Sequence, residues 1–357
     1  MDADVLIIGG GVAGLTLGAR LADAAKVVVL EAEAAVGYHT SGRSAALFEP
    51  TYGLAPVRDL SYASADWYHA SGLLSPRGVF LVARADEREA FESDLRTMAM
   101  DRLDLEAVFA RMPVLRRDVV AMAGGRDDVF DIDTDKLLQD SVKAIRAAGG
   151  EVRLKSRVTG IARTGGLWRV RVGDRELAAP ILVNAAGSWV NEVAAMAGVA
   201  GPRYQPMRRS MARIPAPAGM DVSGWPMTFG PGESWYAKPD AGALVVSPAE
   251  EHPMEPHDAW ADDTVLAEGL ARYEAYATEP VTRLLSSWAG LRTFSPDRVL
   301  VIGPDPVAEG FFWQAGQGGY GFQTAPAASR LGAALVLGRA PDAGAALVAA
   351  VSPARFG

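Results

Sequence analysis

The segment of residues 4–33 constrains the fold of this chain more than any other. Residues 5–8 form an apolar run that predicts a buried parallel strand, and the glycines that follow have the spacing G-x-G-x-x-G. These glycines allow a tight turn, close approach of a pyrophosphate and packing of the next helix on the strand. Residues 27–30 predict a second strand, which leads to an acidic residue where a carboxylate binds ribose hydroxyls. The segment therefore predicts a dinucleotide-binding unit whose cofactor contacts are Gly9, Gly11, Val12, Ala13, Gly14, Glu31 and Ala32.

The next segment, GYHTSGRSAALFEPTYG at residues 37–53, favours FAD over NAD. It places hydroxyl and guanidinium donors beside small residues directly after the strand-end acid. Such a segment can lie along a pyrophosphate and the edge of a flavin ring. The FAD contacts predicted here are Ser41, Gly42, Arg43, Ser44, Ala45 and Ala46.

At this point the sequence resembles the D-amino acid oxidase family of FAD flavoproteins, and within it the bacterial D-arginine dehydrogenases. The resemblance runs nearly end to end and includes PVLRRD, DIDTD, LVNAAGSW, SWYAKPDAG, WAGLR and EGFFWQAGQGGYGFQT. It implies an α/β fold with two domains. Residues 1–76, 131–205 and 293–357 are expected to form an FAD-binding, Rossmann-like domain of the glutathione-reductase type. Residues 77–130 and 206–292 are expected to form a substrate-binding domain with a mixed antiparallel sheet.

Composition argues against several other classes of protein. The chain has 35 basic and 43 acidic residues, a net charge of -8 and no long basic run, so nucleic-acid binding is not expected. It has no cysteine, and its four histidines lack the spacing of metal ligands, so no metal site is expected. Its apolar stretches are far shorter than the roughly 20 residues that cross a bilayer. The absence of a signal segment favours a cytoplasmic protein, with peripheral membrane association left open.

Later segments are expected to complete the FAD site. By resemblance, Val158 lies near the adenine, and the small-residue turn with Ala186, Gly187 and Trp189 lets the backbone approach the cofactor. A glycine-rich loop then precedes a helix whose positive N-terminus can stabilise a reduced flavin ring. The expected ring contacts in this loop are Gly318, Gly319, Tyr320, Gly321, Phe322, Gln323 and Thr324. FAD is expected to be non-covalent, although His39 leaves attachment through histidine open.

The resemblance also implies a grip on a substrate carboxylate. Arg209 and Arg292 match two arginines that clamp this group, and a guanidinium has the shape to bind a carboxylate bidentately. Tyr236 matches a loop tyrosine that donates to the same carboxylate, and Tyr52 matches an aromatic residue that closes over the substrate. Arg208 is expected to be an ordinary surface arginine.

The side-chain pocket departs from that of the D-arginine dehydrogenases. Val79 stands where an acidic partner for the substrate guanidinium is expected, so an apolar or aromatic D-amino acid is predicted to be preferred over D-arginine. Glu49 complicates this prediction, because it can either bind a cationic side chain or remain a solvated loop carboxylate. The pocket residues predicted from the resemblance are Leu47, Phe48, Glu49, Val79, Met227, Phe229 and Gly319.

The predicted function is FAD-dependent oxidative deamination of a D-amino acid to a 2-oxo acid and ammonia. A quinone or another carrier is expected as electron acceptor, on resemblance alone. Oxidation of an N-methyl amino acid, an opine or a 2-hydroxy acid stays open as an alternative. A catalytically inactive flavin-binding subunit is the alternative from a different class.

Overall fold

The protein is described by a computed structural model that covers all residues 1–357. Its strands are, in chain order, β1 (Val5–Ile8), β2 (Val27–Leu30), β3 (Leu47–Phe48), β4 (Leu74–Pro76), β5 (Val79–Ala83), β6 (Asp101–Arg102), β7 (Met122–Arg126), β8 (Phe130–Ile132), β9 (Glu151–Arg153), β10 (Val158–Thr164), β11 (Leu167–Val172), β12 (Arg175–Ala179), β13 (Ile181–Asn184), β14 (Gln205–Pro215), β15 (Met227–Phe229), β16 (Tyr236–Asp240), β17 (Ala243–Ser247), β18 (His252–Pro253), β19 (Ser286–Phe294), β20 (Val301–Pro304) and β21 (Phe311–Ala315). Its α-helices are α1 (Val12–Leu21), α2 (Ala55–Ser71), α3 (Arg88–Thr97), α4 (Leu105–Arg111), α5 (Thr134–Ala147), α6 (Val190–Met196), α7 (Asp263–Glu274), α8 (Gly321–Val336) and α9 (Ala345–Val351).

The first large sheet has the strand order β20-β21-β13-β1-β2-β9, and only the edge strand β20 runs antiparallel to its neighbour. Alternate residues of β1 enter two different cores. Val5 and Ile7 pack in one core and Leu6 and Ile8 in the other. The continuous apolar sequence of β1 thus reflects a strand that is covered on both faces.

Gly9 and Gly14 must be glycines because the backbone packs closely around the start of α1. A Cβ on Gly9, whose φ is +113°, would lie 2.2 Å from the carbonyl oxygen of Ala185. A Cβ on Gly14 would lie 2.1 Å from the carbonyl oxygen of Gly9. The glycine spacing therefore allows α1 to start directly against the carboxyl end of β1.

The second large sheet has nine strands, in the order β18-β14-β17-β16-β15-β5-β7-β6 with β19 paired to β14. Its pairs are antiparallel except for β15 with β5. The mixed α/β fold class predicted from the sequence is confirmed by this architecture. Each large sheet draws its strands from one of the two predicted parts of the chain, apart from Gln205 of β14 and the last two residues of β19. The division into two domains at those boundaries stays a prediction.

Two smaller sheets, β10-β11-β12 and β3-β8-β4, complete the fold. The second of these ties the loop after β2 to the chain entering α5, because Leu47 pairs with Asp131. None of the helices is both long enough and apolar enough to cross a membrane.

Candidate active site

A first cavity opens at the carboxyl ends of β1 and β2, where ligands bind in open α/β sheets. Its empty volume is about 920 Å³. The predicted cofactor residues that line it are Gly9, Gly11, Glu31, Ala32, Ser41, Val158, Ala186, Gly187 and Trp189. Segments from four distant parts of the chain thus meet around one elongated space.

Glu31 is held rigidly at the edge of this cavity. Its Oε2 accepts a hydrogen bond from the backbone N–H of Gly10 at 2.8 Å, and its Oε1 accepts one from the N–H of Glu33 at 2.8 Å. Each carboxylate oxygen can accept a further bond. The carboxylate is therefore oriented for ribose hydroxyls.

A second cavity, of about 820 Å³, continues from the first, because Gly11, Ser41 and Gly187 line both. The helices α1 and α8 begin at its wall, and the N-cap residue of neither makes a side-chain cap, although the N–H of Val12 donates to Oγ of Ser41 at 3.0 Å. Free N–H groups at such helix starts bind anions. The further predicted residues that line this cavity are Val12, Ala13, Arg43, Ser44, Ala45, Gly318, Gly319, Gly321 and Phe322.

Four predicted cofactor residues line none of the large cavities of the site: Gly14, Gly42, Tyr320 and Thr324. Gly14 packs on Gly9, and Gly42 lets its loop fold back onto Gly37, whose carbonyl oxygen would lie 2.5 Å from an added Cβ. Thr324 turns its hydroxyl to the carbonyl of Tyr320, at 2.8 Å. Gly14, Gly42 and Thr324 therefore shape the turns that carry the lining residues.

Arg209 and Arg292 both line the second cavity and a third one that adjoins it. Arg209 on β14 faces Gly290 on β19, and Arg292 faces Met207, so the two arginines are diagonal neighbours on one face of the sheet. Arg209 is 5% exposed, and its Nε and Nη1 have no hydrogen-bond partner. Its Nη2 is 3.4 Å from Oε1 of Glu251, a weak contact. The structure thus brings together two guanidinium groups with unused donors.

The charge of Arg292, a partly buried residue, is maintained at the wall of the two cavities. Burial lowers the pKa of Arg292, but the acidic groups of Tyr52, Tyr236 and Glu233 raise it above its ordinary value. The guanidinium is a permanent cation. Because an unpaired buried cation is costly, this end of the cavity favours an anionic ligand.

Arg208 is not the surface arginine that was expected. It is 7% exposed, and it points to the opposite face of the sheet because side chains alternate along β14. There it lies 3.7 Å from Glu250 and 3.2 Å from Nδ1 of His252. Arg208 therefore forms a polar cluster with Glu250 and His252 and does not line the three cavities.

Two tyrosines, Tyr52 and Tyr236, line the third cavity together with the two arginines. Tyr236 is buried on β16 and its hydroxyl contacts Sδ of Met211 at 3.2 Å. The hydroxyl of Tyr52 donates to Oε2 of Glu233 at 3.1 Å. Burial raises the pKa of Tyr52 above the ordinary range for a phenol, so this side chain stays neutral and does not act as a base near pH 7.

The third cavity has an empty volume of about 810 Å³ and walls that are mostly apolar. It is lined by the predicted pocket residues Leu47, Glu49, Val79, Met227, Phe229 and Gly319, by the predicted flavin contacts Ala46 and Gln323, and also by Met98 and Val129. The structure therefore groups the predicted side-chain pocket directly beside the arginine pair.

The prediction for Phe48 is wrong. Its side chain is 1% exposed and packs against Tyr68, with ring centroids 5.0 Å apart, in the core beneath the nucleotide sheet. Successive residues of a strand point to opposite faces, so Leu47 and Phe48 cannot both reach the same cavity. The short strand β3 sends Leu47 into the cavity and Phe48 into the core.

Sequence reasoning missed two charged residues near the cavities. Glu233 lines the third cavity from a Pro-Gly turn and has a φ of +50°, which is rare for a residue with a side chain. Lys238 donates to the carbonyl of Ala45 at 2.6 Å and pairs with Asp131 at 2.7 Å. Lys238 thereby supports the turn at Ala46, whose φ is +38°. The Pro-Gly pair marked the turn at Glu233, but no sequence signal linked Lys238 to Ala45.

His39 is held beside the first cavity. Its Nε2 lies 3.2 Å from Oε1 of Glu33, and its ring packs on Trp189 with centroids 4.6 Å apart. Its Nδ1 has no hydrogen-bond partner. Non-covalent binding stays the prediction.

Comparison with known proteins identifies the relationships of the whole chain. The sequence profile of the family described as "FAD dependent oxidoreductase" (DAO) matches residues 4–335. A glycine oxidase of Pseudomonas putida is 28% identical, over 96% of this chain and 96% of the relative.

Two solved structures have the same fold. The L-proline dehydrogenase of P. horikoshii has a TM-score of 0.83 and 19% identity, and the alignment covers 99% of this chain and 98% of the other. An iminodiacetate oxidase from Chelativorans sp. has a TM-score of 0.82 and 21% identity, with 98% of each chain covered. These comparisons support the wider family and do not specify D-arginine dehydrogenase, so that narrower resemblance stays a prediction.

The residues of the first two cavities fit FAD. Glu31 would accept hydrogen bonds from ribose hydroxyls, and the N-termini of α1 and α8, which line one cavity, would supply N–H donors to a pyrophosphate and a flavin ring. Small residues leave space along this cavity. The protein is an FAD-dependent flavoprotein.

Proposed function

The chain belongs to the family of FAD dependent oxidoreductases, and on that premise we propose that it deaminates a D-amino acid oxidatively. Bound FAD supplies the acceptor for two electrons and the hydrogen of the α-carbon. Loss of hydride from a substrate with a neutral amine leaves an iminium carboxylate. Water then hydrolyses this product to a 2-oxo acid and ammonium.

The guanidinium groups of Arg209 and Arg292 carry this proposal, because Nε and Nη1 of Arg209 have no hydrogen-bond partner. They lie at the junction of the cavity that fits the flavin and the apolar third cavity. A substrate carboxylate bound there would satisfy donors that have no protein partner. It would also hold the α-carbon near the second cavity and direct the side chain into the third.

The same two cations favour the reactive form of the substrate. A positive charge nearby disfavours an ammonium group and lowers its pKa, so the free amine becomes available near neutral pH. Since the hydroxyl of Tyr52 is neutral, no protein base is assigned to this step. The role of Tyr52 and Tyr236 is to bind and orient.

The side-chain preference is proposed from the walls of the third cavity. Val79, Met98, Val129, Met227 and Phe229 present apolar surface, and Val79 offers no partner to a guanidinium. These walls favour an apolar or aromatic side chain over that of D-arginine. The D configuration and a quinone or carrier as electron acceptor rest on the resemblance of the sequence.

A second candidate is oxidation of an N-substituted amino acid. It is favoured by the name of one protein of the same fold, an iminodiacetate oxidase, because iminodiacetate is an N-substituted glycine. The same arginine pair would bind such a substrate. The third cavity adds a mostly apolar wall beside the arginine pair, which a side chain larger than that of glycine can contact, and for this reason we place this candidate second.

Anaerobic bleaching of the flavin band near roughly 450 nm tests both candidates. The panel contains D-amino acids, their L-enantiomers, N-methyl amino acids, iminodiacetate and 2-hydroxy acids. Rapid bleaching by apolar D-amino acids supports the proposal, and bleaching by N-substituted compounds alone supports the second candidate. No bleaching by any compound would indicate a flavin-binding protein without this activity. Repeating the assay with oxygen and with a soluble quinone identifies the acceptor.

A further inference from the structure

Glu49 is a buried carboxylate in an otherwise apolar part of the third cavity. It is 5% exposed and lines the cavity together with Val79. Its Oε1 accepts hydrogen bonds from the backbone N–H of Thr51, at 3.0 Å, and from the hydroxyl of Thr51. Its Oε2 is buried and has no partner. One oxygen is therefore satisfied by the protein and the other is not.

The charge of Glu49 is incompletely compensated. The nearest cation is Arg126, whose Nη1 lies 3.5 Å from Oε1. Arg126 is already engaged by Asp128, with Nε–Oδ1 at 2.8 Å and Nη2–Oδ2 at 2.6 Å. Two carboxylates thus share one guanidinium. Burial accordingly raises the pKa of Glu49, although Thr51 and Arg126 act in the opposite direction.

The cavity therefore has charges of opposite sign on its wall. Arg209 and Arg292 supply unused cationic donors, and Glu49 supplies an unused anionic acceptor. The wall also includes apolar residues such as Met98, Val129 and Phe229. A ligand that matches this wall carries a carboxylate, an apolar stem and a cation.

We propose that Oε2 of Glu49 binds a terminal ammonium group of the substrate side chain. This inference rests on the proposed function, and it adds to the apolar substrates one cationic class: D-amino acids whose methylene chain ends in an ammonium. A guanidinium binds a carboxylate best through two oxygens, whereas an ammonium is a point charge that needs only one. Because Oε1 is occupied, Glu49 selects an ammonium over a guanidinium.

Two pairs of compounds test this assignment on the FAD-loaded protein. In the first pair, 6-aminohexanoate and hexanoate differ only by the terminal amine and have no α-amine to oxidise. Their dissociation constants are measured from the change in the flavin absorption spectrum. In the second pair, D-lysine and D-norleucine are compared by the dissociation constants obtained from anaerobic flavin reduction, with D-arginine as a third substrate.

The amine-bearing member of each pair is expected to bind at least about tenfold more tightly, the size of one hydrogen bond to a charged group. Glu49→Gln and Glu49→Met are expected to bring both ratios close to one. Glu268→Gln, an exposed residue of α7, should retain the wild-type ratios. Because each ratio compares two ligands of one protein sample, a partly unfolded variant does not imitate the result.

The outcomes separate the two proposals. Equal binding within both pairs in the wild-type protein, or an advantage that survives Glu49→Gln, would overturn the role of Glu49. An advantage for 6-aminohexanoate without flavin reduction by any D-amino acid would leave the ammonium site in place and overturn the proposed reaction. Tighter binding of D-arginine than D-lysine would contradict selection by a single oxygen.

Discussion

Arg209 and Arg292 lie diagonally across the antiparallel pair β14 and β19 and direct their guanidinium groups to the same two cavities. Two like charges at neighbouring positions on one face of a sheet destabilise one another unless an anion lies between or beside them. Glu251 partly fills that role for Arg209, at 3.4 Å. The arrangement is therefore costly for the fold alone, and it is consistent with a site for a substrate carboxylate.

Arg292→Ala should impair substrate-driven flavin reduction. It removes two charge-assisted hydrogen bonds, together worth about 3 kcal/mol, so kcat/KM is expected to fall about 100-fold. Anaerobic reduction of the flavin with the best substrate measures the effect. Arg339→Ala, an exposed arginine, is the matched control and should behave as the wild type. Unchanged reduction in Arg292→Ala would show that the carboxylate binds elsewhere.

Glu31→Ala should weaken FAD binding. The variant loses the acceptor for ribose hydroxyls, and it frees the N–H groups of Gly10 and Glu33 that the carboxylate now holds. A loss of about 1.5–3 kcal/mol for bonds to a charged group corresponds to at least a tenfold rise in the dissociation constant. Fluorescence of released flavin during ultrafiltration measures it. Glu89→Gln, at an exposed position, should retain the cofactor, and equal retention by both variants would contradict the role of Glu31.

Tyr52→Phe should raise KM without removing a titrating group. The substitution keeps the packing of the ring on Tyr320, at 5.4 Å between centroids, and removes the hydrogen bond to Glu233. Burial raises the pKa of Tyr52 above the ordinary phenol value of about 10. Its phenol therefore stays protonated across the pH range of this measurement. Profiles of kcat/KM between pH 6 and 11 should therefore have the same shape in both proteins. A basic limb that disappears in Tyr52→Phe would identify Tyr52 as a catalytic acid or base.

Val79→Glu should improve the turnover of D-arginine. The new carboxylate would face the third cavity near Glu49 and supply the second oxygen that a guanidinium needs. A gain of about tenfold in kcat/KM for D-arginine is expected from one added charged hydrogen bond. Val79→Gln has nearly the same size without the charge and serves as the control. No gain in Val79→Glu would mean that the substrate side chain points to another wall.

Buried tyrosines should make the fold sensitive to high pH. Burial raises the pKa of Tyr68 and Tyr273, so both stay protonated in the folded protein while the unfolded chain ionises near pH 10. The unfolded state then binds fewer protons, and the free energy of unfolding falls as pH rises above about 10, by about 1.4 kcal/mol per pH unit for each tyrosine. Urea unfolding between pH 8 and 11 measures this slope. In Tyr68→Phe this slope should decrease by about 1.4 kcal/mol per pH unit, the contribution of one tyrosine. An unchanged slope would contradict the conclusion that Tyr68 stays protonated in the folded protein.

Much of the cofactor site was predictable because its signals are local. The glycines at positions 9, 11 and 14 and the acid at position 31 act within one strand-helix-strand unit, so their spacing carries their geometry. For the later loops, the resemblance to a known family predicted that residues from distant segments line the same cofactor site. Thr324 illustrates the limit of that resemblance, since its hydroxyl bonds the carbonyl of Tyr320 and it does not line the cavities.

The substrate pocket was predictable only in part. Position along the sequence could not distinguish Leu47 from Phe48, although the alternation of a strand allows only one of them into the cavity. Arg208 and Arg209 differ for the same reason, and only the placement of their sheet shows which face meets the ligand. Because side chains alternate between the two faces of a strand, an error of one residue along the sequence places a side chain on the wrong face.

The sequence by itself determined the dinucleotide-binding unit and the mixed α/β fold class, because backbone sterics and hydrophobic periodicity act between near neighbours. Tertiary structure alone decided which charges are satisfied. Glu49 lies beside Arg126, 77 residues away along the chain, and Tyr52 donates to Glu233, 181 residues away. The free energy of a buried charge depends on every group that surrounds it in space, and that surrounding is set only when the two large sheets have packed together.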